Sequence, residues 1–225
     1  MPIFQRSLSI LIFFIFLIGL SSYPQPCRAD GNQELRAGFA AMRLGDMNTA
    51  LKHYNRALSQ GLSQRDKLTA LTLRGDLLRQ KRQYDEALKD FNQALSLSEK
   101  YGDPQEKAAL YVRRGQAYRA QGEYVRSISD YNLALQINPY MADAYFHRGN
   151  AYRLRRRLKL ALADFNQAIN LEPNHHFYYY RSGVLVQLKR LKEAVADMEE
   201  AVRQKPGRAA YKARLTYLKG QLDDQ

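Results

Sequence analysis

The chain repeats itself with a period near 34 residues, its copies beginning near 31, 68, 108, 142 and 175, and that period restricts it to stacked copies of one small supersecondary unit. Arg114-Gly-Gln-Ala-Tyr118 returns as Arg148-Gly-Asn-Ala-Tyr152, Asp130-Tyr-Asn-Leu-Ala134 returns as Asp164-Phe-Asn-Gln-Ala168, and Pro139 returns as Pro173. Within each copy apolar residues recur at helical spacing, as in Leu51, Tyr54, Ala57 and Leu58. A single pair of such helices cannot bury its apolar face, so neighbouring copies must stack into one continuous core.

With positions numbered from 1 in each copy, small residues fall at 8, 20 and 27, an aromatic at 24 in the first four copies and proline at 32 in the last three. The first copy carries Gly38, Ala50, Tyr54 and Ala57, and the second Gly75, Ala87, Phe91 and Ala94. The third has Gly115, Tyr131, Ala134 and Pro139, with Ser127 where alanine is usual. The fourth has Gly149, Ala161, Phe165, Ala168 and Pro173, and the fifth Ser182, Ala194, Met198, Ala201 and Pro206. Small residues let two antiparallel helices approach, the aromatic fills the space beside them, and proline stops the second helix.

These residues and their spacing resemble the tetratricopeptide-repeat family from Asp30 to Pro206. The resemblance implies an all-α, right-handed solenoid of five helix-turn-helix repeats, at about 31–67, 68–107, 108–141, 142–174 and 175–206. Residues 207–225 hold one more helix, Arg208 to Leu222. It bears Leu215, Leu218 and Leu222, with Lys212, Arg214 and Lys219 on its flanks, and is expected to cap the stack. The joint between the second and third repeats is the longest and predicts extended helices around a turn. There Asp103 is expected as the N-cap, Pro104 at the first helical position, and Glu106 closing a capping box.

Residues 1–29 read differently. Arg6 precedes an apolar run from Leu11 to Leu20, Pro24 and Pro26 break any helix, and Cys27-Arg28-Ala29 places small residues three and one positions before Asp30. That is the build of a secretory signal peptide, either cleaved after Ala29 or kept as a membrane anchor; the apolar run is shorter than the roughly 20 residues of a spanning helix. Pro24 and Pro26 stand where a lipoprotein signal needs an apolar and a small residue, which argues against a lipid on Cys27. Cleavage would remove the single cysteine and with it any thiol chemistry. The expected location is extracytoplasmic, periplasmic or at the membrane surface.

Of the net charge of +13, +11 stays with residues 30–225, since residues 1–29 hold two of the 35 basic residues and none of the 22 acids. Part of it is expected inside the fold. Repeats two to five all have arginine at position 7 and aspartate at 23: Arg74 with Asp90, Arg114 with Asp130, Arg148 with Asp164, Arg181 with Asp197. Repeat one has neither, with Ala37 and His53 instead. Pairing within each repeat accounts for all five, as structural ion pairs worth roughly 0–1 kcal/mol if partly exposed.

The family's ligand face, positions 2, 5, 6, 9, 12 and 13 of each first helix, maps onto Arg36 and Arg43, then Asp76 and Arg79. Next come Arg113, Gln116 and Arg119, then Phe146, His147, Asn150 and Arg153, and finally Tyr179 and Tyr180. This face is either a basic groove for a partner or a solvated polar surface. Arginine forks suit oxyanions, and amides can hold the backbone of an extended peptide. The lysine and asparagine set of the chaperone carboxylate clamp is absent: Phe146 stands at position 5 beside Asn150, and Tyr180 replaces the next asparagine.

Catalysis has no visible residues: no phosphate-cradling glycine loop, no nucleophile elbow, and only His175 and His176 close in sequence, where adjacent residues do not share a helical face. No cofactor or metal is expected. The partner expected is a protein or peptide with acidic character, and not nucleic acid. The rival expectation is a diffuse polyanion or membrane-surface binder acting through net charge.

Overall fold

The computed structural model describes residues 30–223, so the signal peptide expected at 1–29 lies outside the described residues. Eleven α-helices follow one another with no strand among the described residues: α1 (Gly31–Arg43), α2 (Met47–Ser59), α3 (Gln64–Gln80), α4 (Tyr84–Tyr101), α5 (Pro104–Ala120), α6 (Tyr124–Ile137), α7 (Ala142–Leu154), α8 (Leu158–Leu171), α9 (His175–Gln187), α10 (Leu191–Gln204) and α11 (Ala209–Asp223). Consecutive helices form five hairpins, each packed on the next, and α11 closes the stack against α10. None of these helices is long and apolar enough to cross a membrane.

The core follows from the size of two positions. Ala50, Tyr54 and Ala57 in repeat one, and their counterparts in the later repeats, are fully buried. A Cβ added at Gly75 would lie 2.8 Å from the Phe91 ring, and one at Gly115 2.7 Å from the Tyr131 ring, so a glycine at position 8 is what lets the aromatic at 24 seat. Where repeat five carries Ser182 instead, position 24 is Met198, a side chain that can bend away.

Each hairpin turn is built the same way. The residue at position 15 is left-handed in all five: Gly45, Arg82, Gly122, Arg156 and Lys189. In every case its N–H donates to the carbonyl of position 12, and the next N–H reaches back to position 11, as in Arg82 to Arg79 and Gln83 to Leu78. This pair of bonds closes the orphaned carbonyls of the first helix. Left-handed backbone disfavours a Cβ by roughly 1–2 kcal/mol, which glycine avoids. Replacing both Arg82 and Lys189 with glycine should raise stability by about 0.5–1 kcal/mol per site, additively, because they lie in different repeats. A denaturation midpoint that stays or falls would contradict this. Arg156 also donates to Gln187 at 3.3 Å and should gain less.

At the long joint, α4 and α5 extend to 18 and 17 residues around a Gly-Asp-Pro turn. Asp103 accepts from the Glu106 N–H at 2.7 Å and Pro104 opens α5. Glu106 does not close a capping box, however. Its carboxylate is taken by Arg65 at the start of α3, which also donates to the Tyr101 carbonyl. A cation from the neighbouring hairpin outcompetes a backbone N–H for the carboxylate.

The repeats are tied by a ladder. Arg74, Arg114, Arg148 and Arg181 each grip the position-23 aspartate of their own repeat through Nε and Nη2, at 2.6–2.9 Å. The remaining Nη1 donates to an asparagine of the preceding repeat: Asn55, Asn92, Asn132 and Asn166, at 2.7–2.9 Å. Tyr111, Tyr145 and Tyr178, three residues before their arginines, lie 5.3–5.6 Å from the guanidinium. The aspartates are 3–5% exposed, so these structural pairs are buried at their acidic end and the value of a partly exposed pair does not apply to them. Burial pushes Asp130, Asp164 and Asp197 up, while the guanidinium of each pair pulls back down. Both ends of the ladder are improvised. In repeat one buried Glu34 meets His53 Nδ1 at 2.6 Å, and Lys219 of α11 meets Glu199 at 2.7 Å, where an asparagine would stand.

Candidate functional site

The inner wall is made by the first helices of the later repeats, since α3, α5, α7 and α9 adjoin one another in order. Positions 6, 9 and 12 point along it. Its central stretch holds Asp76 and Arg79 from α3, Arg113, Gln116 and Arg119 from α5, and His147 from α7. Asp76 accepts from Arg113 Nε at 2.9 Å and from Arg79 at 3.4 Å, so Arg113 is committed to a carboxylate. Gln116 lies 2.6 Å from His147 Nε2. With the amide donating, the imidazole is neutral and carries its proton on Nδ1.

Beneath these groups four polar atoms are shielded from solvent and have no hydrogen-bond partner among the described residues: Arg79 Nε, Arg119 Nε, the Tyr131 hydroxyl and His147 Nδ1. The His147 ring stacks on Tyr131, with centroids 6.0 Å apart and planes at 22°. Burial, reinforced by the charges of Arg119 and Arg79, holds His147 down at about 3. Burial also raises the Tyr131 phenol, against the pull of Arg119. The two guanidinium atoms and the Nδ1–H can only donate, and none of them makes a hydrogen bond among the described residues, although Arg119 lies near enough to act on the Tyr131 hydroxyl. Unsatisfied buried donors are costly, and this floor can take acceptors from outside.

Other residues of the expected groove are placed differently. Phe146 is 9% exposed and sinks into the core, 4.8 Å from Phe177 and 5.9 Å from Phe165, because position 5 turns toward the next hairpin. Asn150 is also buried, at 5% exposed, and its carbonyl oxygen accepts from Arg153 at 3.3 Å, so it is not a free amide. Arg36 stands exposed on α1. Tyr179 and Tyr180 are half-buried on α9, Tyr180 under Arg153 and Tyr179 under Arg214. Arg214 escaped the sequence reading, which left it on the flank of a cap. It lies 34 residues after Tyr180, and so at position 6 of an unfinished sixth copy. His175 and His176 bond to Tyr211 and Arg208, tying α9 to α11.

Models of the tetratricopeptide repeat match residues 34–100 and 66–139, then 142–175 and 176–208. No curated protein sequence matches the chain. Among solved structures, TTC0263, a thermophilic TPR protein of Thermus thermophilus, has a TM-score of 0.60 at 23% identity, covering 84% of this chain and 98% of that one. MamA 41-end from Desulfovibrio magneticus RS-1 has a TM-score of 0.66 at 16% identity, covering 80% and 97%. The first TPR of Spaghetti (RPAP3) bound to the HSP90 peptide SRMEEVD has a TM-score of 0.51 at 25% identity, covering 53% and 95%.

Proposed function

Because the chain belongs to the tetratricopeptide-repeat family, we propose that it is a non-catalytic scaffold whose inner wall holds an extended, acidic segment of another protein. The observation that carries this reading is the set of shielded donors with no acceptor at Arg79, Arg119 and His147. A carboxylate or a run of backbone carbonyls supplies what they lack, and Arg119, which pairs with no carboxylate among the described residues, favours the charged acceptor. The peptide in the related Spaghetti domain supports a polypeptide ligand. The composition of residues 1–29 supports export, which places the partner outside the cytoplasm.

A labelled deca-glutamate peptide tests the reading by fluorescence anisotropy. Arg119→Ala should weaken its binding about tenfold without lowering thermal stability, since it removes a shielded donor that has no hydrogen-bond partner among the described residues. Arg113→Ala should weaken it less, because Asp76 already neutralises that side chain. Binding that survives at high salt favours the groove. Binding that collapses with ionic strength, and is indifferent to Arg119, favours diffuse attraction by net charge and overturns the proposal.

A further inference from the structure

The last two hairpins and α11 enclose a second feature, a cavity of about 320 Å³ lined by Arg153, Tyr179, Tyr180, Gly183, Gln187 and Arg214. Among the described residues two cations and no acid line it. Arg153 lies 5.7 Å from the Tyr180 ring centroid and Arg214 5.4 Å from that of Tyr179, so each guanidinium is held against an aromatic face. The two tyrosines meet edge to face at 5.6 Å, which fixes the angle between the cations. Arg153 Nε donates to Asn150 Oδ1 at 3.3 Å, while Arg214 Nε is shielded and has no partner among the described residues. Every arginine of the ladder, by contrast, spends its charge on a buried aspartate.

Gly183 opens the floor. Position 9 holds Gln116 and Asn150 in the two preceding repeats, but glycine here, in the interior of α9. No turn demands it and its φ is not left-handed. A Cβ would meet only Arg214 Nη2, at an ordinary 3.6 Å. Glycine weakens a helix interior, so the chain gives up stability at the one place where a side chain would enter the cavity.

We propose that this cavity is a carboxylate pocket, with Arg153 and Arg214 donating to the two oxygens of one carboxylate and the tyrosine rings walling its stem. It deepens the groove reading, on which it rests, by fixing one acidic group of the bound segment. The carboxylate comes either from a glutamate side chain or from a chain terminus.

Two small probes separate these sources and do not depend on the extended peptide: N-acetyl-glutamate α-methylamide, with only a side-chain carboxylate, and N-acetyl-alanine, with only a terminal one. In NMR titrations of the protein, at least one should produce saturable shifts at the Gly183 amide and the Nε of Arg153 and Arg214. The tighter of the two identifies the source, and N-acetyl-glutamine α-methylamide should produce none. Gly183→Gln, which fills the floor, should weaken the probe at least about tenfold while keeping or raising the melting temperature. Arg214→Gln, on the terminal helix, should do the same without touching α9. The proposal is overturned if neither carboxylate gives saturable shifts, if they persist in both variants, or if sodium sulfate at equal ionic strength reproduces them. Deca-glutamate binding lost on Arg119→Ala, with no probe shift at Gly183, would remove this pocket and leave the groove. Probe shifts without deca-glutamate binding would do the reverse.

Discussion

Arg148→Met should lower the unfolding free energy by about 3–5 kcal/mol. The loss does not come from the attraction removed, which desolvation largely offsets. It comes from what stays behind: Asp164, 5% exposed, with both oxygens stripped of the donors that sat at 2.7 and 2.8 Å. Asn132 loses its donor as well. Methionine keeps the stem that packs beside Tyr145, so little of the loss is packing. Removing the stranded carboxylate too, in Arg148→Met with Asp164→Ala, should recover a substantial part of it, so the double variant is more stable than the single one. Urea denaturation of the three proteins measures both steps. A loss below about 1 kcal/mol for the single variant would mean that the pair behaves like a surface ion pair.

Acidification from pH 7 to pH 5 costs the protein about 2 kcal/mol through His147 alone. Its pKa is about 3 in the folded chain, through burial first and then Arg119 and Arg79, against an ordinary 6.5. The unfolded chain takes up the proton as pH falls through 6.5, and the folded chain does so only near 3. Stability from this group is therefore fully present above pH 6.5 and is lost progressively between there and pH 3. The groups around the ring come from three other helices: Arg79 from α3, Gln116 and Arg119 from α5, and Tyr131 from α6. His175 and His176, lowered chiefly by burial, act with the same sign, and the buried aspartates with the opposite sign in the carboxylate range. All of these are common to the parent and His147→Gln, so the difference between their pH profiles isolates His147. The variant should lack about 2 kcal/mol of the decline to pH 5, and parallel profiles would show that the imidazole is freely protonated in the fold.

The architecture was legible because its determinants are local and repeated: glycine at 8 under an aromatic at 24 can be read without coordinates, and so can four arginines that co-occur with four aspartates. The asparagine half of the ladder was equally periodic, at Asn55, Asn92, Asn132 and Asn166, but its meaning depends on which face the preceding hairpin presents, and that is a tertiary fact. The inner wall was harder still. Phe146 and Asn150 hold groove positions by count, yet the aromatic cluster of the fourth and fifth repeats draws the first inward, and Arg153 occupies the second. Arg214 was hidden by the assumption that a terminal helix only covers apolar surface. No pattern along the chain reveals that His147 Nδ1 is shielded, since Arg119, Arg79 and Tyr131 reach it from elsewhere in the fold.

The ladder also determines where this protein can be cut and rejoined. Each arginine belongs to one repeat by its aspartate and to the one before by its asparagine, so the unit that transfers intact is not the hairpin but the seam between two hairpins. The four seams between successive hairpins are chemically interchangeable, each joining an asparagine to an arginine. A chain with one interior hairpin excised or duplicated at equivalent positions would rejoin like with like. The outer hairpins have no such freedom. Glu34 with His53 begins the series inside the first hairpin, and Glu199 with Lys219 ends it, fitted to α11 alone. Length can vary in the middle of such a protein, while its two ends must be inherited whole.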